Sequence, residues 1–179
     1  MTLTKGFIHA VCENEESPAK VLTHVNRLFC KNVPRGTFIS LIYGIFDIEN
    51  NTFTFARAGH DPLLYASENL DTPVFFRPHG LAIGLTPEDT FERAIEDETI
   101  ALLAGDLLVF YTDGVTEAVN PKMEQFGVDR LSQKVEQAGL KTSARQVLQE
   151  VSEYIQTFVQ SAGRVDDMTM IVVRVAPPQ

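Results

Sequence analysis

Two short acidic motifs carry the most evident chemistry in this 179-residue chain. Thr112-Asp113-Gly114 directly follows the apolar run Leu107–Tyr111, and Asp166-Asp167-Met168-Thr169 opens the apolar run 168–175. If these runs are antiparallel strand neighbours, the end of the first lies beside the start of the second. The carboxylates of Asp113 and Asp166 then converge on one sheet edge. Two acids held together repel, and a divalent cation relieves that repulsion. Oxygen donors with no His or Cys beside them favour a hard ion, Mg²⁺ or Mn²⁺, over zinc. Gly114 lets the backbone turn immediately after Asp113, and the hydroxyls of Thr112 and Thr169 are placed to bond neighbouring backbone or the carboxylates. A plainer reading stands beside this one, in which Asp113 and Asp166 are turn and cap residues. Spacing alone does not decide between them.

The other reactive side chains form no comparable pattern. Cys12 and Cys30 lie far apart without a CxxC or Cys/His arrangement, as expected of reduced cytosolic thiols. His9, His24 and His79 have no partner pattern and read as structural or exposed. Glu117 is expected on the first turn of a helix, where the dipole favours an acid.

Positioning the two motifs requires strands, and the chain supplies them between helices. Leu3, Phe7, Ala10 and Val11 have helical spacing, and Ser17-Pro18 reads as N-cap and first turn of a second helix striped by Val21, Leu22, Val25, Leu28 and Phe29. Residues 38–46 are nearly all β-branched, aromatic or aliphatic, which predicts a central strand covered on both faces. Turn residues 47–51 then lead to a hairpin partner containing Phe53 and Phe55. Short strands are expected at 63–66, 74–77, 90–95 and 99–103, then at Leu107–Tyr111. Two amphipathic helices follow: one carries Val128, Leu131, Val135 and Ala138, and the other, capped at Thr142 or Ser143, carries Val147, Leu148, Val151, Ile155, Phe158 and Val159. A polar turn at 161–164 leads to the closing strand 168–175. The order predicts an α+β fold of antiparallel sheets covered by helices, in a single domain.

Composition narrows the function classes. Fifteen Lys and Arg against 24 Asp and Glu leave a net charge of -9, with no basic run, which argues against nucleic acid or an anionic membrane as partner. No apolar run approaches the roughly 20 residues of a membrane span, and the first residues lack the layout of a secretory signal. A cytoplasmic location is expected.

Four blocks, in order, resemble the PPM (type 2C) protein phosphatases, in particular the bacterial sporulation and stress sigma-factor branch that is SpoIIE-like. They are Phe55-Ala56-Arg57-Ala58-Gly59-His60-Asp61-Pro62-Leu63-Leu64, Gly80-Leu81-Ala82-Ile83-Gly84-Leu85, residues 107–118 around Thr112-Asp113-Gly114, and Gly163-Arg164-Val165-Asp166-Asp167-Met168-Thr169. The likeness covers nearly the whole chain. It implies a β-sandwich in α-β-β-α layers and hydrolysis of phosphoserine or phosphothreonine by water activated at a Mg²⁺ or Mn²⁺ pair. The implied partner is a phosphorylated regulatory protein, an anti-sigma-factor antagonist. By motif, Asp113 and Asp166 are the implied metal ligands, with Gly114, Asp167, Thr169, Gly59 and His60 in supporting positions. His60 stands where other branches have an aspartate, and a turn histidine before Pro62 is the simpler reading of it. Gly84 is expected to serve loop geometry.

Two further acidic motifs of the family, a Gly-Asp and an Asp-x-x-Gly-x-Gly, would precede Met1. The expectation is therefore an N-terminally truncated, partial domain over 1–179 that holds one ion or none by itself. Missing strands would leave sheet edges open to pairing in a homo-oligomer. An inactive member used as a protein-binding module is the alternative reading, and ligand binding on an unrelated α+β scaffold is a third.

Overall fold

The computed structural model describes residues 2–13, 15–139, 142–160 and 166–177. The chain divides into two compact units, each built from two separated stretches of sequence. Each contains one antiparallel sheet with helices packed on it, as the alternation of helical and strand patterns predicts.

The first unit comprises residues 1–60 and 77–102. Helix α1 spans Thr2–Cys12 and α2 spans Pro18–Asn32. The start of α2 follows from local chemistry: Pro18 needs no amide partner, and the Ser17 hydroxyl accepts from the Lys20 N–H. Asp97 completes this end, accepting from the Ser17 hydroxyl at 2.5 Å and the Ala19 N–H at 2.7 Å. Strands β1 (Leu41–Asp47) and β2 (Thr52–Ala58) form the expected hairpin; its turn is held by the Asn50 N–H on the Asp47 carboxylate, with Asn51 at φ 52°. Val21, Leu22, Val25 and Phe29 form the buried stripe of α2, in a core with Ala56 and Ala58 of β2 and Ile83, Phe91 and Ile95.

Two expectations fail in this unit. Strand β1 is not central: the order is β1-β2-β5, with β5 at Glu98–Ala101, so β1 has one paired neighbour in the sheet and its residues are mostly half-buried. Its long apolar run leaves Phe46 44% exposed, so the run reflects strand propensity more than burial on two faces. Residues 90–95 are not a strand either. Helix α3 (Glu88–Ala94) occupies most of that span, because Pro87 and the acids Glu88 and Asp89 supply a helix start just before it, and only Phe91 of the helix is buried.

The second unit comprises residues 61–76 and 103–179. Its sheet has the order β4-β3-β6-β7, from Val74–Phe76, Leu63–Ala66, Leu107–Tyr111 and Met170–Arg174. Helices α4 (Asp113–Thr116), α5 (Gly127–Ala138) and α6 (Ala144–Val159) complete it. A capping box fixes the start of α6: the Ser143 hydroxyl accepts from the Gln146 N–H while the Gln146 side chain accepts from the Ser143 N–H. Leu131 and Val135 of α5 and Val147, Val151 and Ile155 of α6 bury against Leu64, Leu107, Val109 and Tyr111 of the sheet. The anticipated polar turn at 161–164 lies outside the described residues. Within the described residues, no helix is long and apolar enough to cross a membrane.

Candidate functional site

Strands β6 and β7 are antiparallel neighbours, with Tyr111 opposite Met170 and Leu107 opposite Arg174. This register brings the residues just after β6 alongside those just before β7. Asp113, Gly114, Asp166, Asp167 and Thr169 therefore belong to two adjoining turns at one edge of a single sheet.

Hydrogen bonds join the turns beyond the last strand pair. The Thr112 N–H donates to the Thr169 carbonyl at 3.0 Å. The Thr169 N–H donates to the Thr112 hydroxyl at 3.0 Å, and that hydroxyl lies 3.2 Å from the Asp167 carbonyl as donor. Gly114 is buried at this junction, and a β-carbon on it would stand 2.4 Å from the Asp167 carbonyl oxygen. Gly114 thus has a packing reason to be glycine, in addition to the turn anticipated from sequence.

Asp113 and Asp166 are each held by the backbone amide of the following residue. One Asp113 carboxylate oxygen accepts from the Gly114 N–H at 2.8 Å, and one Asp166 carboxylate oxygen accepts from the Asp167 N–H at 2.7 Å. Asp113, Asp166 and Asp167 are all exposed. The Asp113 carbonyl accepts the Glu117 N–H at 2.7 Å and the Thr116 hydroxyl at 3.2 Å. Here the sequence reading of Glu117 needs correction. It sits at the C-terminal cap of α4, and Asp113 occupies the first turn. The Asp-Gly turn starts the helix earlier than the apolar pattern suggested.

The donor chemistry of these turns fits a hard divalent cation: the side-chain donors are carboxylate oxygens, and the Asp113 and Asp166 carboxylates are each held by a neighbouring amide. Among the described residues, no three His, Cys, Asp or Glu side chains are grouped so as to hold a metal ion.

Gly59 and His60 are described within the first unit, where local geometry accounts for Gly59 and an arginine holds the His60 carbonyl. Gly59 has φ +68°, and a β-carbon there would lie 2.7 Å from the Ala82 nitrogen. Arg57 donates to the His60 carbonyl at 2.5 Å and to the Pro78 carbonyl at 3.1 Å, pinning this loop. Gly84, at φ +90° beside the Thr37 carbonyl, has the loop role anticipated for it. The residue that sequence reasoning undervalued is Thr112. Its hydroxyl was one of several groups that could bond nearby backbone, and only the strand register reveals which backbone it meets.

Comparison with known proteins yields a consistent family. Residues 1–176 match the family model described as Stage II sporulation protein E (SpoIIE). The phosphoserine phosphatase RsbU of Bacillus subtilis is 27% identical over 175 residues, which cover 97% of this chain and 50% of RsbU. The chain therefore spans half the length of that relative. Among solved structures, the SiaA-PP2C domain of Pseudomonas aeruginosa aligns with a TM-score of 0.80 at 17% identity, covering 97% of this chain and 68% of that one. The Mn-presoaked phosphatase domain of SpoIIE from Bacillus subtilis aligns with a TM-score of 0.66 at 22% identity, covering 98% and 73%. The arrangement of antiparallel sheets and helices is the one found in PP2C domains.

Proposed function

The chain belongs to the SpoIIE family of PP2C-type phosphatases, and we propose that its two units make one metal-dependent domain that hydrolyses phosphoserine or phosphothreonine on a regulatory protein. An anti-sigma-factor antagonist is the proposed substrate class. The name of the relative RsbU, a phosphoserine phosphatase, supports the phosphoester class. The observation that carries the proposal is the β6–β7 register, which puts the Asp113 turn against the Asp166-Asp167 turn.

Electrostatics explains why such an edge would work with a cation. A phosphoserine dianion is repelled by a chain of net charge -9 and most strongly by an edge of three exposed aspartates. Mg²⁺ or Mn²⁺, when bound, neutralises charge on the phosphoryl oxygens and makes water a better nucleophile. Asp113 and Asp166 are the proposed ligands. Their amide hydrogen bonds preset the direction of each carboxylate, so little ordering remains at binding. Asp167 and Thr169 contribute the backbone that keeps the second turn against Gly114.

Hydrolysis of a phosphoserine peptide in Mn²⁺ tests this reading. Removal of the ion with EDTA should abolish turnover. Asp113→Asn and Asp166→Asn should each lower kcat/KM by at least about 100-fold, equivalent to roughly 2.7 kcal/mol. Activity that persists in both variants would refute the assignment, and a folded chain inert toward phosphoserine, phosphothreonine and generic phosphate esters would favour a binding module.

A further inference from the structure

The side chain of Thr112 is not used as its position would ordinarily dictate. Thr112 is the N-cap of α4, where a threonine hydroxyl normally accepts an amide from the first helical turn. It makes no such bond here. Instead the hydroxyl accepts from the Thr169 N–H at 3.0 Å and faces the Asp167 carbonyl at 3.2 Å, both across the gap between the turns. One oxygen atom serves as acceptor and donor to two different residues of the opposite turn. The flanking backbone bond, Thr112 N–H to Thr169 carbonyl, makes a third link.

From this geometry we infer that Thr112 is a positioning residue, a clasp that sets the separation between the Asp113 carboxylate and the Asp166-Asp167 turn before any cation arrives. The inference rests on the proposed role of Asp113 and Asp166 as ligands and goes beyond it by assigning that spacing to a residue that is itself no ligand. Asp113 adjoins Thr112 directly, and Asp166 is one residue from the carbonyl that the hydroxyl meets. A change in the clasp therefore reaches both acids through one or two rigid peptide units. Carboxylates held at a preset spacing bind an ion without first ordering two loops, whereas unlinked turns lose that advantage. Both side-chain bonds are partly open to solvent, so water can replace the lost hydroxyl in a variant. The effect on metal affinity should consequently exceed the effect on folding.

The test compares wild type, Thr112→Ser, Thr112→Val and Asp113→Asn, with Mn²⁺ alone as the probe. Free Mn²⁺ is followed by its electron paramagnetic resonance signal. Amide exchange at Thr169 is measured without metal. Thr112→Val should weaken Mn²⁺ binding by roughly 10–100-fold, as loss of a ligand-orienting partner does. It should also speed exchange at the Thr169 amide, while melting shifts by no more than about 2–4 °C. Thr112→Ser, which keeps an oxygen able to accept and donate, should restore both readouts. If Thr112→Val binds Mn²⁺ like wild type while Asp113→Asn does not, the clasp is refuted and the ligand assignment stands. If wild type and Asp113→Asn bind alike, the ligand assignment fails and the clasp falls with it.

Discussion

The β-carbon that Gly114 lacks would stand 2.4 Å from the Asp167 carbonyl oxygen. Backbone approaches backbone at this point, so the residue after Asp113 and the residue after Asp166 are in direct contact. A side chain there must push the two acidic turns apart, since a peptide carbonyl cannot rotate away as a flexible side chain can.

Gly114→Ala is therefore expected to destabilise the protein by about 1–3 kcal/mol, the usual range for forced overpacking. Urea unfolding checks the magnitude. Mn²⁺ affinity should fall in the same variant, because the displacement acts on the spacing of Asp113 and Asp166. Wild-type stability with wild-type Mn²⁺ binding would contradict the contact.

Tyr65 and Asp106 form a buried pair, with the Tyr65 hydroxyl donating to the Asp106 carboxylate at 2.5 Å and the Leu103 N–H donating to the same oxygen at 2.7 Å. Burial first, and then the hydrogen bond to Asp106, push the Tyr65 hydroxyl up from 10.0 to about 12. Its folded value lies above its unfolded value, so the stabilisation is fully present below pH 10 and is lost as pH rises toward about 12. The amount at stake is on the order of 2 kcal/mol. Urea midpoints measured across that interval should decline less steeply in Tyr65→Phe than in wild type. Equal slopes would show that another group governs alkaline unfolding.

Asn26 is fully buried on α2 and binds the backbone at two points of one loop, accepting from the Gly84 N–H at 2.8 Å and donating to the Thr86 carbonyl at 3.2 Å. Asn26→Ala strips both partners. The expected loss is about 2–4 kcal/mol in denaturant unfolding, from two unsatisfied backbone groups. A loss under about 0.5 kcal/mol would mean that water fills the gap.

Much of this architecture was legible because local signals agreed with one another. Ser17-Pro18 announced one helix start and the choice of Thr142 or Ser143 contained another, and the apolar stripes of α2, α5 and α6 named most of the residues those helices bury, with Leu28, Val128, Leu148 and Phe158 only half-buried. The antiparallel pairing of β6 with β7 could be supposed from two apolar runs that each carry an acid at one end. Long-range information was not legible in the same way. Nothing in residues 38–46 says how many neighbours the strand has, so a run suited to a sheet interior was read as central although β1 is an edge strand. In residues 90–95, Phe91 and Ile95 stand four apart, which is helical spacing, and Pro87-Glu88-Asp89 supplies the start, so the helix was written locally where a short strand was expected. The partners of Thr112 and Asn26 are 55 to 60 positions away in sequence, so only the folded chain identifies them.

Asp113 and Asp166 are proposed to share one cation, and a double-mutant cycle in Mn²⁺ affinity separates a shared ion from independent effects. Wild type, Asp113→Asn, Asp166→Asn and the double variant are titrated with Mn²⁺ under one set of conditions. If both acids hold the same ion, either single substitution should remove most of the binding energy and the second should add little. The coupling would then be on the order of 1–3 kcal/mol. Single variants that bind like wild type, or effects that simply add, would contradict a shared site.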